Sequence, residues 1–409
     1  SDSLSKLEKR TAYTLVLPAV LLVFAIVLFP IFANVWISFK DIELKDIRIP
    51  EPRAKKIVKS ISENQSELKI IYKLRNSSLI QEIRNVQFQD KFPTNVSPVN
   101  LDSRCNFQSK KVVCNFGNWQ AKYRENFEII IQNNNGEIID KKIIKSLKPI
   151  LSGKADNPLL TTNFTLENFK KVFYENNFVE LLLTTFYFTF FGTVGAIIFG
   201  ILAAQLVNQN IQGRTYMRGI LLFPYVGPVV ALAYTWTLLL DPNSGTLNAL
   251  LVNFNIIEQP INLLGQKYIT MSILGFEFKL RLALTTVIFF EIWRYFPLAF
   301  LFILARLQAI PQSLYEAAEV DGASPIQKFI HITLPQITAI ISILFMIRFI
   351  WNFNKFEDIF LLTGGASGTR TLPINVYQQG FAVSDIGMGS AVSIAVSYTH
   401  LRAHETIAD

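Results

Sequence analysis

The sequence predicts an all-α polytopic membrane bundle that is interrupted by one soluble β domain. Half of the 409 residues are hydrophobic, 34 are Phe and only 17% are charged, which is too apolar for a soluble protein of this length. The apolar residues also lie in separate runs long enough to cross a bilayer, since about 20 helical residues span a hydrocarbon core of about 30 Å. The polar residues 41–160 separate the first run from the others.

Five apolar runs are candidate membrane helices, and a sixth begins near Ile386 and ends early. The five runs are 11–39, 181–207, 219–240, 282–305 and 337–353. The first run follows Lys6, Lys9 and Arg10, as the apolar part of a signal peptide does. It is much longer than such a segment, however, and no cleavage site with small residues follows it. We therefore expect a retained helix, and five to six helices in all with the last one truncated.

The polar block 41–160 predicts a β-sandwich inserted after the first helix. Residues 68–74 and 127–131 are rich in β-branched and aromatic residues, as strands are, and segments rich in Asn, Asp and Pro lie between them. Several short strands at this spacing are typical of two packed sheets. The block holds 21 basic and 14 acidic residues, but it has no dense basic cluster with exposed aromatics, so we expect no nucleic acid partner.

Within this block, residues 65–132 resemble the Ig-like repeat domain of bacterial surface proteins. The resemblance rests on a strand ending in Phe-Pro at 92–93, a cysteine hairpin and a final Ile-rich strand at 127–131. Cys105 and Cys114 are the two cysteines of the chain and flank a polar tip, as two strands of a hairpin would. We favour a disulfide over two buried thiols or a metal pair. A disulfide would place the insert outside the cytoplasm.

The segment 311–335 decides how the remaining helices are interpreted. It combines a short polar helix pattern, a break at Gly322 and a Leu-Pro stop. Ser313 and Glu316 have the spacing of an N-terminal capping box, and a glycine permits the left-handed turn that ends a helix. The segment resembles the EAA loop of ABC-importer permeases, a cytoplasmic coupling helix that docks on an ATPase subunit. The resemblance assigns ATPase coupling to Tyr315, Glu316, Ala317, Ala318, Asp321, Gly322, Ala323, Leu334 and Pro335.

Further segments resemble carbohydrate-uptake permeases of the maltose and glycerol-phosphate type, in one collinear order from 165 to 396. They include the Phe-Thr-Leu lead-in at 164–166, Leu-Phe-Pro at 222–224, Trp-Arg-Tyr-Phe-Pro at 293–297 and Thr-Gly-Gly at 363–365. The resemblance implies one permease subunit that works with a second permease subunit, an ABC ATPase dimer and an extracytoplasmic substrate-binding protein. The small-molecule substrate would be a sugar or a polyol phosphate, and membrane lipid would surround the helices.

Polar residues inside the apolar runs supply a candidate translocation path. Glu291 and Arg294 lie one helical turn apart, and intramembrane charge is costly unless it faces a cavity or a partner. With Trp293 and Asn352 they form the candidate set. Two alternatives stay open, an ion pair between Glu291 and Arg294 or packing against the companion permease. Arg348 either snorkels or pairs with Glu291.

Several other classes of function are disfavoured. The chain has no nucleotide-binding glycine loop followed by Lys-Ser/Thr and no credible Ser/His/Asp set, so we expect no enzyme activity, no cofactor and no metal site. A membrane-anchored β-sandwich that binds a surface ligand is one alternative, but a single helix is enough for anchoring. A secondary transporter is another, but it should show inverted repeats with broken helices and no EAA loop.

The expected organisation has four parts. Residues 1–40 form the N-terminal segment and first helix, 41–160 the insert, 161–396 the permease core with the EAA loop at 311–335, and 397–409 a non-native polar tail. Basic residues at the N-terminus and at 208–218 favour a cytoplasmic location for both. Helix counting then places the insert and the 241–282 loop outside and the EAA loop in the cytoplasm. The expected location is the plasma (inner) membrane of a prokaryote, with several passes.

Overall fold

A computed structural model describes residues 2–61, 66–135, 137–175, 177–209, 212–273 and 276–408. The chain divides into two compact units, Ser1–Asn168 with Ser384–Gly387 and Phe169–Val383 with Met388–Asp409. Within the described ranges, four helices are long and apolar enough to cross a membrane, and one sharply bent helix pair is a fifth candidate.

The first unit begins with a long apolar helix. α1 (Asp2–Val23) passes through a π-helical turn at Phe24–Leu28 into α2 (Phe29–Ser38). The part of membrane length is Thr11–Ser38, and its most apolar stretch is not covered by described protein residues. An exposed apolar surface of this size is typical of a helix that contacts lipid or other subunits.

Two antiparallel four-stranded sheets follow, in the orders β1-β2-β7-β4 and β5-β6-β3-β8. In β2, each second residue from Leu68 onward is buried, which is the period of a strand with one face in a core. One hydrophobic core takes side chains from both sheets. The elements are β1 (Pro52–Ser60), β2 (Glu67–Asn76), β3 (Ile83–Lys91), β4 (Val96–Asn100), β5 (Cys105–Gln108), β6 (Lys111–Trp119), β7 (Arg124–Asn133), α3 (Lys141–Ser146) and β8 (Ile150–Lys154).

The core between these sheets contains an aromatic cluster and one buried ion pair. The Tyr72 ring stacks on Phe127 with centroids 4.8 Å apart, and Phe88 meets both rings edge-on. Lys56 on β1 donates to Asp90 on β3 at 2.6 Å, and the Tyr72 hydroxyl donates to the same carboxylate. Burial raises the pKa of Tyr72 and lowers the pKa of Lys56. Because β1 and β3 belong to different sheets, this cluster ties the sheets together.

The cysteine hairpin lies where the residue pattern placed it. β5 and β6 pair through a tight turn in which Ser109 and Lys110 both have positive φ, 50° and 64°. Such a turn matches the twist of the flanking strands. Cys105 and Cys114 face each other in the register, and a disulfide joins them in the structure.

The chain enters and leaves the two sheets at one place, the end of α2. The Trp36 indole Nε1 donates to the Leu159 carbonyl at 2.6 Å, and Lys40 donates to the carbonyls of Thr161 and Asn163. The exposed ring of Phe164 packs edge-on against Trp36 at 4.9 Å. The incoming and outgoing segments are therefore bound to each other.

The second unit is mainly helical. Its helices range from short turns to 31 residues, and a two-stranded hairpin, Ile269–Ile273 with Phe276–Leu280, interrupts them. Its elements and the helix leading into it are α4 (Glu167–Lys170), α5 (Phe178–Asn208), α6 (Arg214–Val226), α7 (Val229–Leu239), α8 (Thr246–Asn253), β9 (Ile269–Ile273), β10 (Phe276–Leu280), α9 (Leu282–Gln308), α10 (Gln312–Val320), α11 (Pro325–Lys328), α12 (Leu334–Phe353), α13 (Glu357–Thr363), α14 (Leu372–Tyr377) and α15 (Ile386–Ala408).

The third apolar run, expected as one helix, is instead broken. α6 and α7 meet at 93° across Gly227 and Pro228. Both residues have extended ψ angles, 144° and 128°. Proline lacks the N–H that would continue the helical ladder and disfavours helical geometry at the residue before it, which explains the break. The apolar part of α15 includes Ile386–Ser397, and its helical backbone continues to Ala408.

α5 and α9 pack closely because α5 presents small residues. A Cβ built on Gly200 would lie 2.6 Å from the Ala299 Cβ and 2.9 Å from the Phe300 backbone N. One built on Gly192 would lie 3.2 Å from the Glu291 Cγ. Small residues allow helix backbones to approach where packing, rather than exclusion of water, drives association. This contact fixes α9, which carries three of the four predicted path residues.

Candidate functional site

The predicted coupling segment forms two short helices joined by a turn. α10 begins after Pro311 and ends at Val320, and the backbone N–H groups of Asp321 and Ala323 donate to carbonyls of its last turn. Gly322 has φ +76°, and no described heavy atom lies within 4 Å of a Cβ built there. Glycine is thus required by backbone conformation and not by space.

The capping arrangement differs from the one expected. Pro311, not Ser313, precedes the first residue of α10, and no side chain caps that end; the Ser313–Glu316 capping box is therefore wrong. The box lies instead at α11, where Ser324 and Gln327 exchange hydrogen bonds between side chain and backbone. Pro311 has a non-helical ψ of 128°, so helical geometry begins at the residue after it, Gln312.

The coupling loop presents a mixed surface. Val320 is 89% exposed and Ile326 71% exposed, so two apolar side chains project from the tip. Glu316 and Asp321 are exposed acids, whereas Glu319 is paired with Lys328 at 2.7 Å. The negative charge of this surface is consequently partly neutralised within the loop.

Two contacts close the base of this loop, where the chain joins the long helices on either side. The hydroxyls of Tyr315 and Thr333, near the two ends of the loop, lie 2.9 Å apart. Arg306, at the end of α9, donates to the backbone and side-chain oxygens of Gln336 at the start of α12, each at 3.0 Å. The two ends of the loop and the adjoining ends of α9 and α12 are thus held together.

The nine predicted coupling residues divide into three groups. Ala318, Asp321, Gly322 and Ala323 line one shallow concavity together with His331. Glu316 and Ala317 lie exposed on α10, and Tyr315 faces inward. Leu334 and Pro335 form the first turn of α12 after a π-helical turn at Phe329–Thr333.

A second candidate site is a buried charge network between α9, α12 and α13. Arg348 donates to Glu291 at 2.5 Å, with side-chain exposures of 2% and 0%. Arg294 donates to Asp358 at 2.8 Å, and Lys355 lies 3.2 Å from the same carboxylate. Glu291 and Arg294 therefore pair with residues of other helices and not with each other, so the intrahelical ion pair is excluded and the Arg348–Glu291 alternative holds.

Tyr295 lies at the centre of this charge network. The charged groups of Arg348, Lys355 and Arg294 lie 4.1, 4.3 and 5.3 Å from its ring centroid, within the range of cation–π attraction. Lys355 also donates to the Tyr295 hydroxyl. The ring thus contacts three cations of the network, whose mutual repulsion is offset by the carboxylates of Glu291 and Asp358.

The network contains more hydrogen-bonding capacity than the described protein residues use. Within the described ranges, the buried atoms Glu291 Oε2, Arg294 Nε, Arg348 Nε and Asn352 Oδ1 make no hydrogen bond. Buried polar atoms without partners are uncommon in folded proteins and require an explanation. The set combines donors with acceptors, which suits a ligand rich in hydroxyl groups.

The four predicted path residues do not form one group. Asn352 is buried, donates to Thr193 at 3.2 Å and lies beside Glu291 across Gly192. Trp293 instead packs against Trp236 and Phe290 in an aromatic cluster. The prediction omitted Tyr295, Lys355 and Asp358. A possible signal was the polar stretch 354–358, which follows directly on an apolar run.

Comparisons with known proteins give a consistent result. Residues 196–400 match the family of binding-protein-dependent transport system inner membrane components. The inner membrane ABC transporter permease protein YcjO of Escherichia coli K12 is 32% identical over 241 residues, covering 59% of this chain and 77% of that protein.

Two further relatives have names that state what they transport. The trehalose/maltose transport system permease protein MalF of Thermococcus litoralis is 32% identical, covering 56% of this chain and 73% of that protein. The sn-glycerol-3-phosphate transport system permease protein UgpA of Escherichia coli O157:H7 is 30% identical, covering 57% of this chain and 75% of that protein.

A solved structure supports the fold. The crystal structure of a bacterial ABC transporter involved in the import of the acidic polysaccharide alginate has a TM-score of 0.51 and 22% identity to this chain. The matched region covers 58% of this chain and 79% of that one. At this identity the likeness concerns the fold alone.

Proposed function

This chain belongs to the family of binding-protein-dependent transport system inner membrane components, and we propose that it is the permease subunit of an ATP-driven importer for a carbohydrate or a polyol phosphate. Its relatives are permease proteins and not enzymes; ATP hydrolysis is therefore assigned to a separate subunit. The substrate class is carried over from relatives named for trehalose, maltose and glycerol 3-phosphate.

One observation carries this proposal, the exposed coupling loop attached to two helices of membrane length. The Tyr315–Thr333 contact joins the two ends of the loop, and the Arg306–Gln336 contact joins α9 to α12 beside it, while Val320 and Ile326 project from the loop. An ATPase dimer that closes against these side chains would move α9 and α12 as rigid bodies. Closure on one side of the membrane would thus reach the charge network on α9 and α12.

The translocation path proposed here runs beside Glu291, Arg294 and Asn352, and the aromatic residue Trp293 lies near it on the same helix. The unused buried donors and acceptors are suited to the hydroxyl groups of a passing sugar or polyol. A shift of α12 against α9 would change the distance between Arg348 and Glu291. Arg348 and Glu291 would thus form an ion pair that closes the path in one state, and would line the open path in another.

The partners and topology follow from the same assignment. We propose a second permease subunit, an ABC ATPase dimer inside, a substrate-binding protein outside and surrounding membrane lipid. The two sheets of residues 41–160 would form an extracytoplasmic β-sandwich, because a disulfide between Cys105 and Cys114 persists in an oxidising compartment. The 241–282 loop would lie on the same side, and the coupling loop in the cytoplasm of a prokaryote.

The test is uptake into proteoliposomes that contain this chain with a cognate second permease and ATPase. Trehalose, maltose and glycerol 3-phosphate would be supplied outside with the binding protein, with and without ATP inside. We expect uptake of a carbohydrate or polyol phosphate that requires both ATP and the binding protein. Uptake driven by an ion gradient without ATP would support a secondary transporter instead. Binding of a ligand to the insert without any uptake would support an anchored surface module.

A further inference from the structure

The outer face of the sheet β1-β2-β7 is strongly basic. By strand alternation, the residues pointing away from the core include seven cations and two acids. The cations are Arg53, Lys55, Lys59, Lys69, Lys73, Arg75 and Arg124, and the acids are Glu67 and Glu128. Glu67 lies at the end of the sheet that carries Lys59 and Lys69, and Glu128 lies in the middle row, where it pairs with Lys69.

At the other end of this sheet, cations face cations across neighbouring strands. Arg75 lies opposite Arg53 on one side and opposite Arg124 on the other, and Lys55 lies opposite Lys73. Like charges directly opposite each other destabilise a sheet. None of these five side chains forms an ion pair with another described residue, whereas Lys69 pairs with Glu128. The fold therefore does not compensate these charges, which indicates an anion from outside the chain.

The row of three arginines lies at the end of the insert where the membrane helix emerges. Asn76, next to Arg75, donates to the Gln81 carbonyl at 2.8 Å. Ile80 and Gln81 line one small cavity together with Lys40 and Ile42, which follow directly on the last residue of the Thr11–Ser38 helix. This end of the sheet is thus the part of the insert next to the membrane.

Exposed apolar side chains accompany the basic rows. Leu79 and Ile80, in the loop after β2, are 40% and 49% exposed, and Ile47 and Ile49, before β1, are 41% and 53% exposed. Basic residues next to exposed aliphatic ones are typical of surfaces that bind the interfacial region of a bilayer. An acidic protein would also be electrostatically complementary to these basic residues, but their position beside the membrane helix favours lipid.

We propose that Arg53, Lys55, Lys73, Arg75 and Arg124, here termed the basic face, bind anionic lipid headgroups of the bilayer surface, with Leu79 and Ile80 reaching the acyl boundary. The insert would then rest on the membrane and not extend freely from it. Basic residues near an anionic surface are each attracted within about one Debye length, so the contact should weaken in salt. This inference rests on the proposed function only for the side of the membrane on which the insert lies.

The experiment uses the full chain in nanodiscs, which expose both bilayer surfaces. A dye is attached to Cys at Asn126→Cys, an exposed position opposite Lys73, under conditions that keep the disulfide. Gln87→Cys, exposed on the other sheet, is the matched position. We expect headgroup-labelled quencher lipid to quench the dye at 126 about twofold or more strongly in phosphatidylglycerol-containing discs than in phosphatidylcholine discs. High salt should remove the difference, and the dye at 87 should show little.

Neutral variants decide between the outcomes. R53Q/R75Q/R124Q should abolish the lipid dependence, whereas K59Q/K69Q, at the far end of the same face, should keep it. An intact disulfide and unchanged circular dichroism identify folded protein. Equal quenching in both lipids, or a lipid dependence that survives in R53Q/R75Q/R124Q, would overturn the proposal. The proposal would also be overturned if the dye at 126 stayed unquenched in both lipids and an acidic protein bound the wild type but not R53Q/R75Q/R124Q. No transport is measured, so failure of the importer assignment would not produce these results.

Discussion

Arg348 on α12 and Glu291 on α9 form an ion pair of 2.5 Å between two side chains that are almost fully buried. Each would be an uncompensated charge in the interior without the other, because ions lose their hydration there. The pair therefore holds two helices of membrane length together. It also connects the buried charge network to α12, the helix that follows the predicted coupling loop.

Removing one partner of this pair should be more damaging than removing both. We expect Arg348→Gln or Glu291→Leu to cost about 3–5 kcal/mol of stability, since each leaves a buried charge without a counterion. The double variant E291L/R348M should be less destabilised than either single variant. Thermal unfolding in detergent measures this, with Arg306→Gln, whose hydrogen bonds are exposed, as the control. A double variant that is less stable than both single variants would contradict the assignment of a buried ion pair to Arg348 and Glu291.

The coupling loop should be sensitive to backbone conformation. Gly322→Val should abolish ATP-driven uptake while leaving membrane insertion intact, because a β-branched residue does not tolerate the φ of +76°. Gly219→Val on α6 is the matched control, since a Cβ there also meets no described atom within 4 Å and its φ is not positive. Uptake and membrane content are measured together.

Charge reversal on the same loop tests its contact with the ATPase. Glu316→Lys should also abolish uptake, because the exposed acid would meet basic groups of the partner. The purified variant should insert and unfold like the wild type. Normal transport by this variant or by Gly322→Val in reconstituted vesicles would remove the coupling role from the loop.

The disulfide predicts how the two cysteines react with reagents. A membrane-impermeant thiol reagent should label neither Cys105 nor Cys114 until reductant is added. Replacing both by Ser should lower stability by about 2–3 kcal/mol, the loop-closure value for a bond of this span. Rapid labelling before reduction would mean that the bond is not formed. Both side chains are buried, so the location of the insert is read from a comparison with permeabilised membranes: labelling after reduction that appears only on permeabilisation would contradict an external location.

The insert should not determine substrate preference. Replacing residues 45–155 with a short Gly/Ser linker should leave the preference unchanged, with at most weaker docking of the binding protein. The reason is that the insert has its own hydrophobic core and that its incoming and outgoing segments are already bound together. Uptake competition among sugars measures this. A changed preference at equal expression would make the insert part of the selectivity machinery.

Acid should weaken the insert through one arginine cluster. Arg104 donates to Asp102 at 2.7 Å and to Glu125 at 2.6 Å. This holds the pKa of Asp102 at about 2, below its ordinary value of 3.8, and lowers the pKa of Glu125. A carboxylate whose pKa is lower in the folded state stabilises that state at pH values above its unfolded-state pKa. This stabilisation is lost as the pH falls through the folded-state pKa.

The expected effect is a decrease of about 1 kcal/mol or less between pH values near 5 and near 2, because the cluster is partly exposed and screened. Denaturant midpoints of isolated residues 41–160 measure it, and folding of this fragment is part of the prediction. Arg104→Gln should flatten the pH dependence in this range. Arg84→Gln, which removes an exposed pair with Asp156, should leave it unchanged.

The residue pattern predicted the family and the helical membrane fold, and the comparisons confirm both. Hydrophobic runs and local motifs are short-range signals, and these carried the prediction. The partners of Glu291 and Arg294 lie 57 and 64 residues away, and only packing of α9, α12 and α13 brings them together. Which of several charges meet in a bundle cannot be read from spacing along one helix.

Two local errors have local causes. Pro228 was assigned to the interior of a helix, but the Gly-Pro step bends the chain by 93° because a proline ring and a missing donor outweigh the apolar pattern. Ser313 has the right spacing for a cap, yet α10 begins at Gln312, directly after Pro311, so Ser313 already lies inside the helix. In both places a proline marks the boundary of a helix.

The strand order of the insert has a consequence for neighbouring copies in a crowded membrane. The outermost strands of the two sheets are β1 and β4, and β5 and β8. β4, β5 and β8 have five, four and five residues, and β1 carries four basic residues. Short or charged borders disfavour strand exchange between molecules. Many copies should therefore be able to stand side by side without joining into a continuous sheet.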